Sequence, residues 1–162
     1  MKTLIILRHG KAVDILVSGD KRRELTERGL RDAEAMGRLI GSEVGVPDLI
    51  VSSDAQRARQ TAEIAGEAAG YKGEITYEPT IYDAGVDTLV RVVRALPDSA
   101  DYVILVGHNP GFERLSADLA ADGTEPPRLP TSGFAQLQFD ATHWRSVRPG
   151  TGTLVVVHWP KE

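Results

Sequence analysis

Leu4-Ile5-Ile6-Leu7-Arg8-His9-Gly10 is the stretch that decides the fold, because a continuous apolar run ends there in polar and turn residues. An apolar run without alternation predicts a β-strand that is covered on both faces, as in parallel sheets. The runs Leu49–Val51 and Tyr102–Val106 have the same character and are also followed by polar or turn residues. We therefore expect three buried strands whose carboxyl ends lie at one edge of a sheet.

Helical patterns separate these strands. Thr26 is predicted to cap a first helix, and Ser53 is predicted to cap a second. The second helix has a face of small residues that allows close packing on the sheet: Ala58, Ala62, Ala65 and Ala69. Phe134–Phe139 and Leu154–Val157 read as later strands without a helix between them, so we expect an antiparallel pair at one edge. The prediction is an α/β protein, a three-layer α/β/α sandwich with a mostly parallel central sheet, in a single domain over residues 1–162.

The composition excludes several kinds of site. The chain has 162 residues, a net charge of -4, four histidines and no cysteine. Without cysteine there can be no disulfide, thiolate zinc site, iron–sulfur cluster or cysteine nucleophile. The acidic balance argues against nucleic-acid binding. The first apolar run stops at Arg8, which is too short for a signal sequence or a membrane span. We therefore expect a cytoplasmic protein with no nucleic-acid or membrane partner.

Histidines and arginines follow the ends of the predicted central strands. Arg8 and His9 come directly after the first, Arg57 opens the helix after the second, and His108 follows the third. Arginine forks match the oxygens of a phosphoryl group. Nearby cations should keep His9 unprotonated, as a nucleophile requires, and His108 can hydrogen-bond a phosphoryl oxygen. The combination predicts an electropositive phosphoryl-binding pocket.

Each of these residues alone has a plainer explanation. Arg8 and His9 could form a solvated strand end, His108 could be a loop residue, and Arg57 could be a solvated arginine in a first helical turn. Convergence of all four on one sheet edge is much more specific than any of them.

Three segments resemble the histidine phosphatase superfamily, which also contains the cofactor-dependent phosphoglycerate mutases. Residues 7–10 (Leu-Arg-His-Gly) resemble its signature, residues 52–62 its second block, and residues 107–110 (Gly-His-Asn-Pro) the block with its second histidine. Their order and spacing match, so the resemblance covers nearly the whole chain. Within the superfamily the chain is most similar to the short SixA phosphohistidine phosphatase branch, through residues 20–29 and 129–133.

The second block departs from the family at Asp54, which stands where proline is common. A carboxylate near a phosphate site adds unfavourable charge. We therefore expect Asp54 to point away from the site or to pair with a basic neighbour.

The resemblance implies a phosphoglycerate mutase-like fold and a metal-independent phosphatase that needs no cofactor. His9 would become phosphorylated, and water would then cleave phospho-His9. Arg8, Arg57 and His108 would bind the phosphoryl oxygens. The partner would be a phosphohistidine protein, since a chain this short leaves little length for a lid, or a small phosphorylated metabolite.

Two interpretations are open for the residue that would protonate the leaving group. Many members of the superfamily protonate the leaving oxygen with a carboxylic acid after the third strand, and Asp83 falls in that region. Asp83 could equally cap the helix that follows. An imidazole leaving group needs a proton less than an alkoxide does, because its conjugate acid has a pKa of ~6.5. Three other carboxylates are in possible reach but are more typical of surface groups: Asp14, Glu78 and Asp87.

Other functions remain open. A small-molecule phosphomonoesterase of the same superfamily would use the same residues on a sugar or nucleotide phosphate. A non-catalytic module would bind phosphate or phosphohistidine without turnover, and it could dispense with His9. A flavodoxin-like nucleotide binder would explain the strands and helices but none of the coincident residues.

The surroundings of the site are also predicted. Segments 11–24 and 122–133 should rim it, and three basic residues could contact substrate: Lys11, Arg22 and Arg23. His143 and His158 lie in or beside late strands, where we expect packing or surface roles.

Overall fold

The computed structural model describes residues 1–15 and 17–161, which form a six-stranded sheet flanked by helices. The strands are β1 Lys2–Arg8, β2 Leu49–Ser52, β3 Thr76–Tyr77, β4 Tyr102–Gly107, β5 Phe134–Phe139 and β6 Thr153–His158. The helices are α1 Glu27–Glu43, α2 Gln56–Ala68, α3 Val86–Arg94 and α4 Gly111–Leu119. Short 3₁₀ turns cover residues 20–22, 79–81 and 144–146.

The sheet is mostly parallel. Its strand order is β3-β2-β4-β1-β5-β6. The first four strands of this order pair in parallel, whereas β5 is antiparallel to both β1 and β6. Parallel neighbours need a crossover connection, usually a helix, and antiparallel neighbours do not. The predicted antiparallel pair at one edge is confirmed, and the two-residue strand β3 was not predicted.

The side chains of β1 alternate between two helical layers. Ile5 and Leu7 pack in one cluster with residues of α1 and α2, while Leu4 and Ile6 pack in another with residues of α3 and α4. All four side chains are fully buried. Each such burial stabilises the fold by roughly 1.5–3 kcal/mol. The strand covered on both faces that the unbroken apolar run predicted is confirmed, and so is the three-layer sandwich that the alternation of strands and helices predicted.

Small residues let α1 and α2 pack closely on the same face of the sheet. A Cβ added at Gly37 of α1 would lie 2.4 Å from the carbonyl oxygen of Ala65 in α2. The predicted small-residue face of α2 is buried along its length: Ala58, Ala62, Ala65 and Ala69. Gly70 follows with a φ of 92°, a left-handed conformation that ends the helix.

The two predicted N-caps have different outcomes. Thr26 caps α1, since its Oγ1 accepts a hydrogen bond from the Gly29 N–H at 3.1 Å. Ser53 does not cap α2, which begins after Ala55 without a side-chain cap, so that prediction was wrong. The chain makes a turn at residues 53–55 before the helix starts, in which the Ser53 hydroxyl accepts from the Ala55 N–H at 3.2 Å.

The longest helix in the described ranges is α1, with 17 residues. No helix within residues 1–15 and 17–161 combines the length and the apolar character that a membrane crossing requires.

Candidate active site

The histidines predicted for the site lie side by side at the carboxyl edge of the sheet. β1 and β4 are parallel neighbours in which Arg8 pairs with Gly107. The next residue of each strand, His9 and His108, therefore leaves the sheet at the same level. The His9 backbone N–H donates to the Gly107 carbonyl at 3.0 Å, and the centroids of the imidazole rings are 5.2 Å apart. Strand register thus brings the histidines together.

His9 presents an unprotonated ring nitrogen. Its Nδ1 lies 2.8 Å from the Gly10 carbonyl oxygen. Because a carbonyl can only accept, Nδ1 carries the proton and Nε2 carries the lone pair of the neutral ring. Arg57 Nε donates to this Nε2 at 3.3 Å. Burial lowers the pKa of His9 to about 3, and the charges of His108, Arg57 and Arg8 act in the same direction. His9 is therefore neutral, as expected, but burial contributes more than the arginines do.

A buried hydroxyl links the His9 loop to the arginine helix. The Gly10 N–H donates to Thr61 Oγ1 at 2.9 Å, and the Thr61 hydroxyl donates to the Arg57 carbonyl oxygen at 2.8 Å. The loop also lies close to α1, since a Cβ at Gly10 would be 3.0 Å from the Gly29 carbonyl oxygen. These contacts position the His9 backbone relative to α1 and α2.

Asp20 holds the terminal nitrogens of the Arg57 guanidinium. Nη1 donates to the Asp20 carbonyl oxygen at 2.8 Å, and Nη2 donates to its Oδ2 at 3.0 Å. The Tyr82 hydroxyl donates to the same Oδ2 at 2.5 Å, and Arg23 Nη1 donates to Oδ1 at 3.0 Å. These hydrogen bonds, that from Tyr82 above all, hold the pKa of Asp20 well below its usual range. The carboxylate is therefore ionised at neutral pH and anchors Arg57.

Sequence reasoning missed Asp20 and Tyr82 as site residues. Asp20 lies in the segment 20–29 that carried the SixA resemblance, which is the signal that could have found it. Tyr82 precedes Asp83 directly, and nothing in the sequence distinguished it from a surface tyrosine.

Arg8 has a buried donor that points to an anion site. Its Nη1 donates to the Leu129 carbonyl oxygen at 3.1 Å, while its Nε is buried without a hydrogen-bond partner in the described part of the chain. Burial lowers the pKa of Arg8, Glu113 opposes this shift, and Arg57 adds to it. A buried donor without an acceptor costs about 1–3 kcal/mol. A phosphoryl oxygen would supply that acceptor.

His108 is held by a side chain instead of the backbone. Its Nε2 lies 2.8 Å from the Ser53 hydroxyl oxygen, and its Nδ1 is buried without a partner among the described residues. Tyr82 stands edge-on to the imidazole with a centroid distance of 5.5 Å. The pKa of His108 is lowered to about 4, chiefly by burial and secondly by the charge of Arg57. This ring is therefore also neutral at pH 7.

Asp83 lies beside these groups and does not cap α3. The helix begins after Gly85 with no side-chain cap, so the capping alternative was wrong. Asp83 is exposed and has a φ of 59°. It lines a cavity of about 290 Å³ together with Tyr82, His108 and Arg114. Of the other carboxylates considered, Glu78 accepts from the Thr80 N–H, and Asp14 and Asp87 are exposed.

Both segments expected at the rim reach the site. Asp20 comes from the first and the Leu129 carbonyl from the second. Asp54 pairs with Lys21 at 3.0 Å, as expected of a carboxylate near a phosphate site. Arg23 is turned toward Asp20 and the Val13 carbonyl oxygen. Lys11 and Arg22 are exposed.

The other histidines have acidic partners away from the site. His143 Nδ1 lies 2.8 Å from Asp98 Oδ2, and His158 Nε2 lies 2.8 Å from Glu43 Oε2. His158 also packs on the Phe134 ring at 5.4 Å. Across residues 1–15 and 17–161, no group of three or more histidine, aspartate or glutamate side chains is arranged to hold a metal ion.

Known proteins resemble the chain over most of its length. The model of the histidine phosphatase superfamily (branch 1) matches residues 4–109. The uncharacterized protein Rv1276c of Mycobacterium tuberculosis is 31% identical in an alignment of 163 positions that covers 96% of this chain and 100% of that protein.

Solved structures assigned to SixA phosphohistidine phosphatases share the fold. One from Nakamurella multipartitia has a TM-score of 0.83 and 28% identity and covers 98% of this chain and 96% of its own. Another from Agrobacterium tumefaciens has a TM-score of 0.80 and 31% identity, and the match covers 98% of this chain and 99% of that one.

The matched region contains the residues that meet at the carboxyl edge of the sheet: Arg8, His9, Arg57 and His108. The likeness to the SixA structures extends beyond it to nearly the whole chain. The chain therefore belongs to the histidine phosphatase superfamily, branch 1, and within it resembles the SixA phosphohistidine phosphatases.

Proposed function

We propose that this protein is a metal-independent phosphohistidine protein phosphatase that works through a phospho-His9 intermediate. The observation that carries the proposal is the neutral His9 ring, whose Nε2 lone pair lies beside the Arg57 Nε–H at 3.3 Å. A nucleophile needs that lone pair, and a site that only binds phosphate does not. The likeness to SixA structures at 28% and 31% identity supports phosphohistidine as the substrate.

In the first step, His9 Nε2 forms a bond to phosphorus while the bond from phosphorus to the leaving atom breaks. The leaving atom keeps the electron pair. Donors on Arg57, Arg8 and His108 take the phosphoryl oxygens, whose charge must be stabilised in the transition state. His9 Nδ1–H stays on the Gly10 carbonyl at 2.8 Å, which stabilises the positive charge that the ring acquires.

In the second step, a water oxygen attacks the phosphorus of phospho-His9. The N–P bond breaks, and its electron pair returns to His9 Nε2. The proton lost by the water passes to a phosphoryl oxygen or to solvent, and inorganic phosphate leaves. Arg8 and Arg57 supply the positive charge that Mg²⁺ supplies in kinases.

Asp83 is the proton donor in this proposal when the leaving atom is an alkoxide oxygen. It is exposed and lines the cavity next to His108. An imidazole leaving group, with a pKa of ~6.5, departs without this help.

A second candidate function has one observation in its favour. The cavity beside His108 has a volume of about 290 Å³. This volume is close to that of the smallest pockets that bind small molecules, ~300 Å³. Arg114 at its edge offers a positive charge to a second anionic group. This cavity favours a phosphomonoesterase that acts on a sugar or nucleotide phosphate.

The test is a substrate panel measured with and without EDTA: a phosphohistidine protein, a phosphohistidine peptide, sugar phosphates and a chromogenic phosphoester. We expect the phosphohistidine protein to give the highest kcat/KM, with no loss in EDTA. A higher kcat/KM on a sugar phosphate would select the second candidate. Loss of activity on chelation would contradict the metal-independent mechanism, and phosphate binding without turnover of any substrate would select the binding module.

A further inference from the structure

The His108 side chain has a hydrogen-bond partner that the mechanism above does not use. Ser53 is fully buried, and its hydroxyl oxygen lies 2.8 Å from His108 Nε2. The same oxygen accepts a hydrogen bond from the Ala55 N–H at 3.2 Å. This turn fixes the hydroxyl at the end of β2, facing the histidine at the end of the adjacent strand β4.

Two arrangements of protons fit this contact. In one, the Ser53 O–H donates to His108 Nε2, and the ring proton sits on Nδ1. In the other, His108 Nε2–H donates to the Ser53 oxygen, and Nδ1 carries the lone pair.

Counting donors and acceptors separates the arrangements. If Nε2–H donates, the Ser53 O–H has no acceptor among the described residues, although Ser53 is fully buried. A buried hydroxyl hydrogen without a partner is costly. If the Ser53 O–H donates, both groups of the contact are satisfied, and the unpartnered atom is His108 Nδ1.

The unpartnered nitrogen, His108 Nδ1, is then able to donate a hydrogen bond to a phosphoryl oxygen. With Nε2 occupied by Ser53, only Nδ1 is free for a phosphoryl oxygen. A phosphoryl oxygen carries negative charge and can only accept from it. A lone pair on Nδ1 would repel that oxygen, whereas an N–H would donate to it.

We propose that Ser53 is a positioning residue that holds His108 with its proton on Nδ1, so that this N–H donates to a phosphoryl oxygen. This inference rests on the proposed function for its catalytic consequence, but the position of the proton can be measured without any turnover. Ser53 itself does not touch the reacting atoms. It acts through the orientation and tautomer of the His108 ring.

The neighbouring serine provides a matched control. Ser52 is also fully buried, and its hydroxyl donates to the Ser53 carbonyl oxygen at 2.8 Å. Ser52→Ala removes a buried hydroxyl of the same size that does not contact His108. Ser53→Ala removes the one that does, and Ser53→Thr keeps a hydroxyl at this position.

The experiment measures the ¹⁵N spectrum of the histidine-labelled protein at pH 7, with and without inorganic phosphate. The His108 signals are assigned by their loss in His108→Gln. We expect Nδ1 of His108 to carry the proton in the wild type and in Ser52→Ala, and to lose this preference in Ser53→Ala. We expect kcat/KM to fall about tenfold to a hundredfold in Ser53→Ala, the range found when a hydrogen-bond partner that orients a metal-bound histidine is removed. Ser53→Thr should recover the tautomer and most of the rate.

A wild-type spectrum with the His108 proton on Nε2 would overturn the proposal, whatever the variants do. Ser53→Ala with an unchanged tautomer and rate would also overturn it. If the protein hydrolyses none of the phosphorylated substrates, the proposed function fails, and the spectrum still decides the role of Ser53. If Ser53→Ala does not fold, the wild-type and Ser53→Thr spectra decide it.

Discussion

His9 and His108 occupy equivalent places and present opposite ring nitrogens. Both follow parallel neighbouring strands, both are shielded from solvent, and burial lowers their pKa values to about 3 and about 4. His9 is held through Nδ1 by the Gly10 carbonyl, and its Nε2 is the nitrogen that would attack phosphorus in the proposed function. His108 is anchored through Nε2 to the Ser53 hydroxyl, which leaves Nδ1 without a partner among the described residues.

The difference shows that the anchor, more than the histidine, sets what each ring can do. A carbonyl can only accept, so the Gly10 anchor enforces a lone pair on His9 Nε2. A hydroxyl can donate or accept. The Ser53 oxygen already accepts from the Ala55 N–H, and its O–H has only His108 Nε2 to donate to among the described residues, which leaves the His108 proton on Nδ1. The Gly10 carbonyl is part of the backbone and is not removed by changing a side chain, whereas Ser53→Ala removes the hydroxyl that contacts His108.

The largest effect separates the two histidines directly. His9→Ala should lower kcat by about 10⁴-fold or more and abolish the phosphoenzyme, because no other group at the site replaces the attacking nitrogen. His108→Ala should lower kcat by about 10²–10³-fold, as loss of one oxyanion donor does, and still form the phosphoenzyme. Rapid-quench trapping of acid-labile phosphate measures both, with His143→Ala as a control distant from the site. A phosphoenzyme in His9→Ala would refute its role as nucleophile.

The next largest loss of activity is expected on substitution of Asp83, a carboxylate that holds neither His9 nor His108. Asp83→Asn should lower kcat/KM for alkyl phosphates by about 10²-fold, since an alkoxide needs a proton donor. The loss on phosphohistidine should be severalfold at most, because imidazole leaves more readily. Steady-state rates on both substrates give the ratio, and Asp87→Asn, a nearby exposed carboxylate, serves as the control. Equal small losses on both substrates would remove Asp83 from the mechanism.

Arg57 is held partly by the Asp20 backbone carbonyl and partly by the Asp20 carboxylate, and a single substitution can weaken the second contact. Asp20→Asn weakens the hold on the guanidinium that lies beside His9. We expect kcat/KM to fall about tenfold, while the phosphoenzyme still forms. Asp98→Asn, whose carboxylate pairs with His143 far from the site, should leave kcat/KM unchanged. An increase in kcat/KM for Asp20→Asn would mean instead that Asp20 competes with phosphate for Arg57.

The smallest effect tests the burial that the two histidines share. Their folded-state pKa values of about 3 and about 4 lie below the ordinary value of 6.5. At a pH between the folded-state and ordinary pKa values, these histidines bind protons in the unfolded state but not in the folded state. The free energy of unfolding therefore falls as pH drops from 7 toward 4. The urea midpoint should therefore drop from pH 7 to pH 5 by less in His108→Gln than in the wild type. Equal drops would mean that burial of His108 does not contribute to the pH dependence.

The central sheet could be predicted because burial on both faces leaves a mark in the sequence. The unbroken run from Leu4 to Leu7 indicated a two-sided strand, and the small-residue face of α2 indicated close packing. Strand β3 gave no such mark, because its two residues are partly exposed at the sheet edge. The role of Ser53 as a helix cap was a wrong prediction, since a serine before a helix can equally bond a neighbouring side chain.

The sequence by itself determined which chemistry this protein can carry. Its lack of cysteine left mainly histidine, carboxylate, serine, lysine and arginine groups, and the predicted ends of buried strands placed two histidines and two arginines at one edge. Only the tertiary structure decided which nitrogen of each histidine is held by a neighbouring group, and that Asp20, itself bonded by Tyr82, holds Arg57. The physical reason is that strand periodicity is local, whereas a hydrogen bond such as that from Tyr82 to Asp20 joins residues 62 positions apart.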